Sequence, residues 1–495
     1  MSLLGIDLGT SGCKAAAFSA DGRCLATAAR EYATGHPEPG WSELDAREVW
    51  ARTQEVIAAV AAASQSDPVT ALCVSSMGEA LVPLSRAREI LGPSILSSDI
   101  RGKEYADGLR ATFGAEEFYR INPNVLGPQY GLPKILWLRD NDPALFERTE
   151  LFLLWGDTVG YLLGGEAVCS NSLANRTLLL DIARNDWSDA LLEWSGLTRA
   201  QLGRVVPGGT VAGTVADDVA ERLGLPRGVV IVAGGHDQCC NALGCGCTRA
   251  GQATCGIGSY QCISPVFAWP RDPLRMLTER LNIEHHVVPG LYIAFLFNQA
   301  GLLVRWFRDT FAAGTAGDSE SYARLMAEMP AEPTDLLVLP HFDPPQWPEF
   351  IADTSGVIMG LHSNTSRGAI LKGIIEGATL YFAGTLDALT EMGMGVSELV
   401  ASGGGAKSEA WLQITADALG VPVMRPATTE GGLAGTAMLA GTATGVYATL
   451  AEALEIHVIR ERVFEPDEAR HARYREKAEL LRQLYPLNHE LLRAP

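Results

Sequence analysis

Asp7-Leu8-Gly9-Thr10-Ser11-Gly12-Cys13-Lys14 follows a short apolar run at residues 3–7 and opens the chain with a glycine-bearing turn. Gly9 and Gly12 would let the backbone approach a ligand closely. Thr10 and Ser11 bring hydroxyls, Lys14 a cation and Asp7 a carboxylate. A metal-bound triphosphate calls for all of these groups. The spacing is not that of a Walker A loop, which places four residues between its first glycine and its Gly-Lys pair, nor is it G-x-G-x-x-G. A plain hairpin turn is the competing reading.

Working outward, residues 14–18 and 24–29 flank Asp21-Gly22, a strong hairpin signal. Asp45 followed by Glu48 reads as a capping box, and Val49, Trp50, Val56, Ile57 and Val60 recur at helical spacing behind it. Residues 69–75, 229–233 and 399–402 read as buried strands. The second ends at Gly234-Gly235-His236-Asp237 and the third at Gly403-Gly404-Gly405, with a helix beyond it closing at Gly420. Strand, glycine turn and helix is the α/β rhythm in which ligands sit beyond the strand ends. Gly258-Ser259 echoes Gly9-Thr10 about half a chain later, which suggests two related domains, 1–245 and 246–495.

Composition narrows the function classes. A chain of 495 residues is too long for one core. Its formal net charge of −19 disfavours nucleic acid and anionic membranes as partners. No run approaches the ~18 apolar residues of a membrane span, and no signal peptide is evident, so the expectation is a cytoplasmic protein. Six of the ten cysteines fall between Cys239 and Cys262 without any C-x-x-C pair, which reads as small buried thiols before it reads as a metal site.

Asp237, placed after two glycines at the end of a strand, is a candidate base: in phosphoryl transfer to an alcohol a positioned Asp accepts the hydroxyl proton. His236 is an alternative. Gly403, Gly404 and Gly405, followed by Lys407, Ser408 and Trp411, leave room for a flat base such as adenine. Residues 430–437 are so rich in small side chains that they must either pack tightly or lie against a ligand.

Together these elements resemble the FGGY carbohydrate kinases, whose order of motifs runs Asp-x-Gly-Thr-Ser, Gly-Trp-Ser-Glu (Gly40 to Glu43), Gly-Gly-His-Asp, Gly-Ser and the triple glycine. The resemblance extends to Tyr447 and includes residues 357–361 and 374–377. It implies an α/β fold of two actin-like ATPase (ribonuclease H-like) domains with a cleft between them, the first binding sugar and phosphate and the second adenosine. It implies ATP and Mg²⁺ as cofactors, with Asp7 on the metal and Thr10, Ser11 and Lys14 facing the phosphates. Gly258 and Ser259 would form a second phosphate turn. Gly403, Gly404, Gly405, Ser408 and Glu430 would hold adenosine. Asp237 would be the general base, and Gly78, Glu79, Asp99, Arg101 and Gln238 would join it around the sugar.

The chain departs from the family pattern in places. Ala369 and Gly373 replace more usual residues, and Gly258-Ser259-Tyr260-Gln261 stands where Gly-Thr-Ser-Gly is usual. Xylulokinases read Gln-Met-His-Gly where this chain has Ser76-Met77-Gly78-Glu79; Glu79 matches a glycerol kinase Glu, but Gly78 replaces the Arg before it, and Ser97 stands where Trp is common. Carboxylates at Glu79 and Asp99 suit a small neutral sugar or polyol, D-xylulose or a related compound. Rival readings are a structural or chaperone ATPase without an acceptor and a silent sugar sensor. A homodimer is left open.

Overall fold

The computed structural model describes residues 1–312, 319–342, 355–428 and 430–493. It divides into two compact units: one of Met1–Thr248, Pro273–Ile293 and Glu430–Ile459, the other of Arg249–Asp272, Ala294–Thr429 and Arg460–Pro495. The division is therefore not a single cut near residue 246, because two later segments join the first unit.

In the first unit, Ser2–Leu8 forms an antiparallel hairpin with Gly12–Ser19, and Cys24–Glu31 adds antiparallel beyond it. On its other side Ser2–Leu8 pairs in parallel with Val69–Ser76, which pairs in parallel with Val230–His236; Val211–Thr214 closes that edge antiparallel. The central strand is buried almost continuously, as expected where helices cover both faces. Its crossover is the helix Ala46–Ala63, which buries Val49, Val56, Ile57 and Val60. The Asp45 side chain accepts from the backbone N–H groups of Arg47 and Glu48 at 2.9 and 3.3 Å. Glu48 turns to Arg52 instead of back to the cap, so only half of the expected box forms.

The second unit repeats the plan. Gln252–Ile257 forms a hairpin with Tyr260–Phe267, Leu296–Gln299 adds antiparallel outside it, and Glu398–Ser402 and Val423–Pro426 follow in parallel on the other side. Arg460–Phe464 closes the edge antiparallel. The echo of Gly9-Thr10 in Gly258-Ser259 is thus a repeated topology, with each pair in the turn of the opening hairpin of its sheet.

The helix Gly431–Ala443 explains why residues from the far end of the chain belong to the first unit. A Cβ at Gly5 would lie 2.4 Å from the Leu433 carbonyl oxygen, and one at Gly435 would lie 2.0 Å from that of Cys240. A Cβ at Gly244 would lie 1.8 Å from the Gly431 carbonyl oxygen. The small residues of this helix serve close packing against the first strand and against the helix Asp237–Gly244. In the second unit, Arg367–Glu391 is long and apolar enough to span a membrane, contrary to the sequence reading. Its most apolar window is 72% buried, the setting of a core helix.

Candidate active site

Strand ends and turns of the first unit converge on one cavity of about 190 Å³. Thr10 reaches it from the opening hairpin, Met77, Gly78, Glu79 and Ala80 from the end of Val69–Ser76, and His236, Asp237 and Gln238 from the end of Val230–His236; Leu96 and Ser97 complete the wall. Ligands beyond the carboxyl ends of parallel strands are the rule for such sheets.

Gly234 and Gly235 set the path of the chain into Asp237. A Cβ at Gly234 would sit 2.1 Å from the Val74 carbonyl oxygen, and one at Gly235 would sit 2.6 Å from Ser172 Oγ. Here the strand pairing shifts register, between Ala233 and Gly235. The backbone N–H of His236 then donates to Ser172 Oγ at 3.0 Å. Asp237 follows as the first residue of the helix Asp237–Gly244, where the helix dipole favours a carboxylate. Its Oδ1 is buried, 3.2 Å from His236 Nε2, and accepts no hydrogen bond among the described residues. Burial raises the Asp237 pKa, His236 opposes the rise, and Glu79 adds to it.

Asp7 accepts from Ser75 Oγ at 2.6 Å. Burial, then the charge of Asp237, pushes its carboxyl up to about 6, with Ser75 and Lys14 opposing. A buried carboxylate raised by a neighbouring carboxylate favours a cation beside it, so Asp7 fits Mg²⁺. The Tyr32 hydroxyl donates to the carbonyls of Gly9 and Gly12 at 2.6 and 3.0 Å and fixes the turn. Ser11 and Lys14 are exposed on it. Lys14 pairs with Glu430 at 3.2 Å, both largely exposed, an ion pair weak enough to exchange for a phosphate. Glu430, expected at the adenosine end, belongs to the first unit.

Asp99 and Arg101, expected around the sugar, form a buried ion pair. Neither lines the cavity. Both are buried, and the Asp99 carboxylate accepts from Arg101 Nε at 2.9 and 3.0 Å and from the Ser42 and Arg101 backbone N–H groups at 2.6 and 2.7 Å. Arg101 reaches Glu43 at 2.8 Å and lies over the Trp41 ring, and Lys134 Nζ donates to the carbonyls of Asp99 and Arg101. The pair fastens the Gly40–Glu43 motif to the rest of the unit.

Two side chains missed by the motifs support the cavity. Arg176 donates to Glu79 Oε1 through Nε at 2.9 Å and through a second guanidinium nitrogen. It stacks over Tyr130 at 4.9 Å. Glu284, wholly buried, accepts from His236 Nδ1 at 2.9 Å. A Cβ at Gly78 would lie 2.9 Å from His236 Nε2 and 3.1 Å from Arg176 Cγ, so these two residues fill the space that a side chain at 78 would need. Neither Asn175-Arg176-Thr177 nor Ile283-Glu284-His285 carries a spacing signal that could have revealed them.

In the second unit, the carbonyls of Gly258 and Ser259 accept from the N–H groups of Gly301 and Leu302 at 3.1 and 3.0 Å, at the start of the helix Gly301–Phe311. Gly403 and Gly405 press on Ile257, their Cβ positions lying 2.8 and 2.2 Å from its atoms, whereas a Cβ at Gly404 would meet nothing within 4 Å. Ser408 caps the helix Glu409–Leu419, accepting from the Trp411 N–H at 3.3 Å. Of the triple glycine, Gly404 alone leaves open space.

Duplicated sheets of this topology and a cavity walled by hydroxyls and carboxylates define a two-domain protein of the actin-like ATPase fold. Family models for the FGGY family of carbohydrate kinases match it, the N-terminal domain over residues 2–244 and the C-terminal domain over residues 280–444. The chain belongs to this family. It is 28% identical over 489 residues to the xylulose kinase of Bacillus subtilis (strain 168), covering 98% of this chain and 96% of that one. It is also 28% identical over 508 residues to the autoinducer-2 kinase of Escherichia coli (strain K12), covering 98% and 94%. The crystal structure of xylulose kinase from Rhodospirillum rubrum superposes over the full length of both chains with a TM-score of 0.89 at 27% identity.

Proposed function

We propose that this carbohydrate kinase transfers the γ-phosphoryl group of ATP to a terminal hydroxyl of a small neutral sugar or polyol, a ketose of the xylulose type being the first candidate. One observation carries the reading: a single cavity brings together Thr10 of the opening turn, Glu79, and Asp237 with a buried oxygen that accepts no hydrogen bond among the described residues. A base needs such an oxygen, within reach of the hydroxyl whose proton it takes. At about 190 Å³ the cavity is smaller than the ~300–1,000 Å³ typical of drug-sized sites. Carboxylates at Glu79 and Asp237 favour hydroxyl donors and repel an acidic acceptor.

Asp237 takes the hydroxyl proton as the oxygen attacks the γ-phosphorus in line. Glu79, held by Arg176 through Oε1, offers its other oxygen to a second hydroxyl. Thr10, Ser11 and Lys14 line the turn that would face the phosphates, and Asp7 would hold Mg²⁺. When bound, the cation neutralises charge on the phosphate oxygens. Gly258 and Ser259 are the second unit's candidates for phosphate contact, and Gly404 offers open space for adenine.

Coupled ADP release over ketoses, pentitols, tetritols, glycerol and aldonic acids tests the acceptor class. A neutral ketose or polyol is expected to stimulate release at least tenfold over ATP alone, with aldonic acids inert. Equal release with every acceptor and with none would defeat the reading.

A further inference from the structure

The strand Glu284–His285 arrives in the first unit from a segment that carries none of the motifs, yet it brings a wholly buried carboxylate behind the base. Glu284 Oε1 accepts from His236 Nδ1 at 2.9 Å and from Cys239 Sγ at 3.1 Å, and Oε2 lies 3.6 Å from the Arg176 guanidinium. With Nδ1 committed, the imidazole can present only Nε2 to the cavity, and that atom lies 3.2 Å from Asp237 Oδ1. Arg176, the third partner, grips Glu79. One buried residue thus braces both carboxylates of the cavity wall through a cationic or hydrogen-bonding neighbour of each. His236, Cys239 and Glu284 also have the composition of a metal site. Their separations of 2.9 and 3.1 Å are those of hydrogen bonds already made.

We propose that Glu284 is a positioning residue for phosphoryl transfer: it holds His236 by Nδ1 so that Nε2 faces the base Asp237, and through Arg176 it fixes Glu79. The inference rests on the reading of Asp237 as the base. The groups facing His236 are Glu284, Asp237 and Arg176. Burial works against its charged form, but Glu284 and then Asp237 outweigh burial and raise its pKa. Without the Glu284 charge the imidazolium is lost more readily, and Asp237 gives up the cation that opposes its own rise, a larger effect than the direct repulsion by Glu284 that is lost with it.

The test is Glu284→Gln, which keeps the shape and one acceptor oxygen. Two measurements are made: the pH profile of kcat/KM with the best acceptor, and the ¹⁵N titration of His236, assigned by its loss in His236→Gln. Expected are a fall of about tenfold or more in kcat, an ATP KM within about twofold of wild type, and an acid limb moved up by about half a pH unit or more. The His236 titration should move to lower pH. In a His236→Gln background, Glu284→Gln should no longer move the limb up, since only the direct repulsion of Glu284 on Asp237 is then removed, and His236→Gln alone should move it up if Glu284→Gln does not fold. An unmoved limb and an unmoved His236 titration would overturn the proposal. Full activity of Asp237→Asn would instead defeat the base assignment, while the His236 titration would still judge whether Glu284 acts on His236.

Discussion

Asp237 and Asp99 are both carboxylates after a strand or turn, and their surroundings give them opposite uses. Asp237 keeps a buried oxygen that accepts no hydrogen bond among the described residues, beside an open cavity. Asp99 has its donors supplied from within the protein, and these hold its carboxyl below the ordinary value although burial pushes it up. Asp99→Asn leaves buried Arg101 with Glu43 as its one carboxylate partner among the described residues, so it should cost up to about 3–5 kcal/mol of stability, measured by urea unfolding. A raised sugar KM with unchanged stability would instead make Asp99 a substrate ligand. Asp157 is a third case. It is buried and accepts from the Ser170 N–H at 3.1 Å, and burial, opposed by Ser170 and Cys169, pushes it up to about 7. Its folded pKa lies above the unfolded value of ~3.9, so its favourable contribution is complete below pH ~4 and is lost as pH rises toward 7. Asp157→Asn should therefore raise Tm relative to wild type more at pH 8 than at pH 5. An equal difference at both pH values would show that Asp157 does not titrate in this way.

At the scale of elements, the strand Ser2–Leu8 and the helices Asp237–Gly244 and Gly431–Ala443 meet through glycines. Gly435→Ala would push a methyl group into the Cys240 backbone, in the helix whose first residue is Asp237. It should cost about 1–3 kcal/mol, the usual range for overpacking, and shift kcat through misplacement of Asp237. Thermal unfolding and kcat for the same variant check this, and loss of neither would mean that the helices separate easily. The strands, the opening hairpin and the glycine turns were legible in the sequence because period, turn residues and caps are local signals. The use of the small-residue helix was not. Residues 430–437 read equally as packing or as ligand surface, and only the strand and helix they meet decide for packing. The capping box shows the same limit, since Arg52 competes for Glu48 from one turn on.

For the whole molecule, the order of motifs along the chain was enough to indicate two actin-like domains and a carbohydrate kinase, because a duplicated fold leaves two sets of turns in register. The assignment of segments to units was not legible, since return of Glu430–Ile459 to the first unit depends on close backbone approach between residues more than 400 apart, as where Gly5 meets the Leu433 carbonyl. The cavity wall was partly legible: Gly78, Glu79, Asp237 and Gln238 line it, Asp99 and Arg101 do not, and the supports Arg176 and Glu284 come from stretches without a motif. The central claim, that Asp237 is the base for transfer to a sugar hydroxyl, is tested most directly by Asp237→Asn, with kcat measured on the best acceptor and ATP affinity by calorimetry on one preparation. Loss of about 10²–10⁴-fold in kcat with ATP affinity unchanged is expected; retention of more than a tenth of wild-type kcat would contradict it.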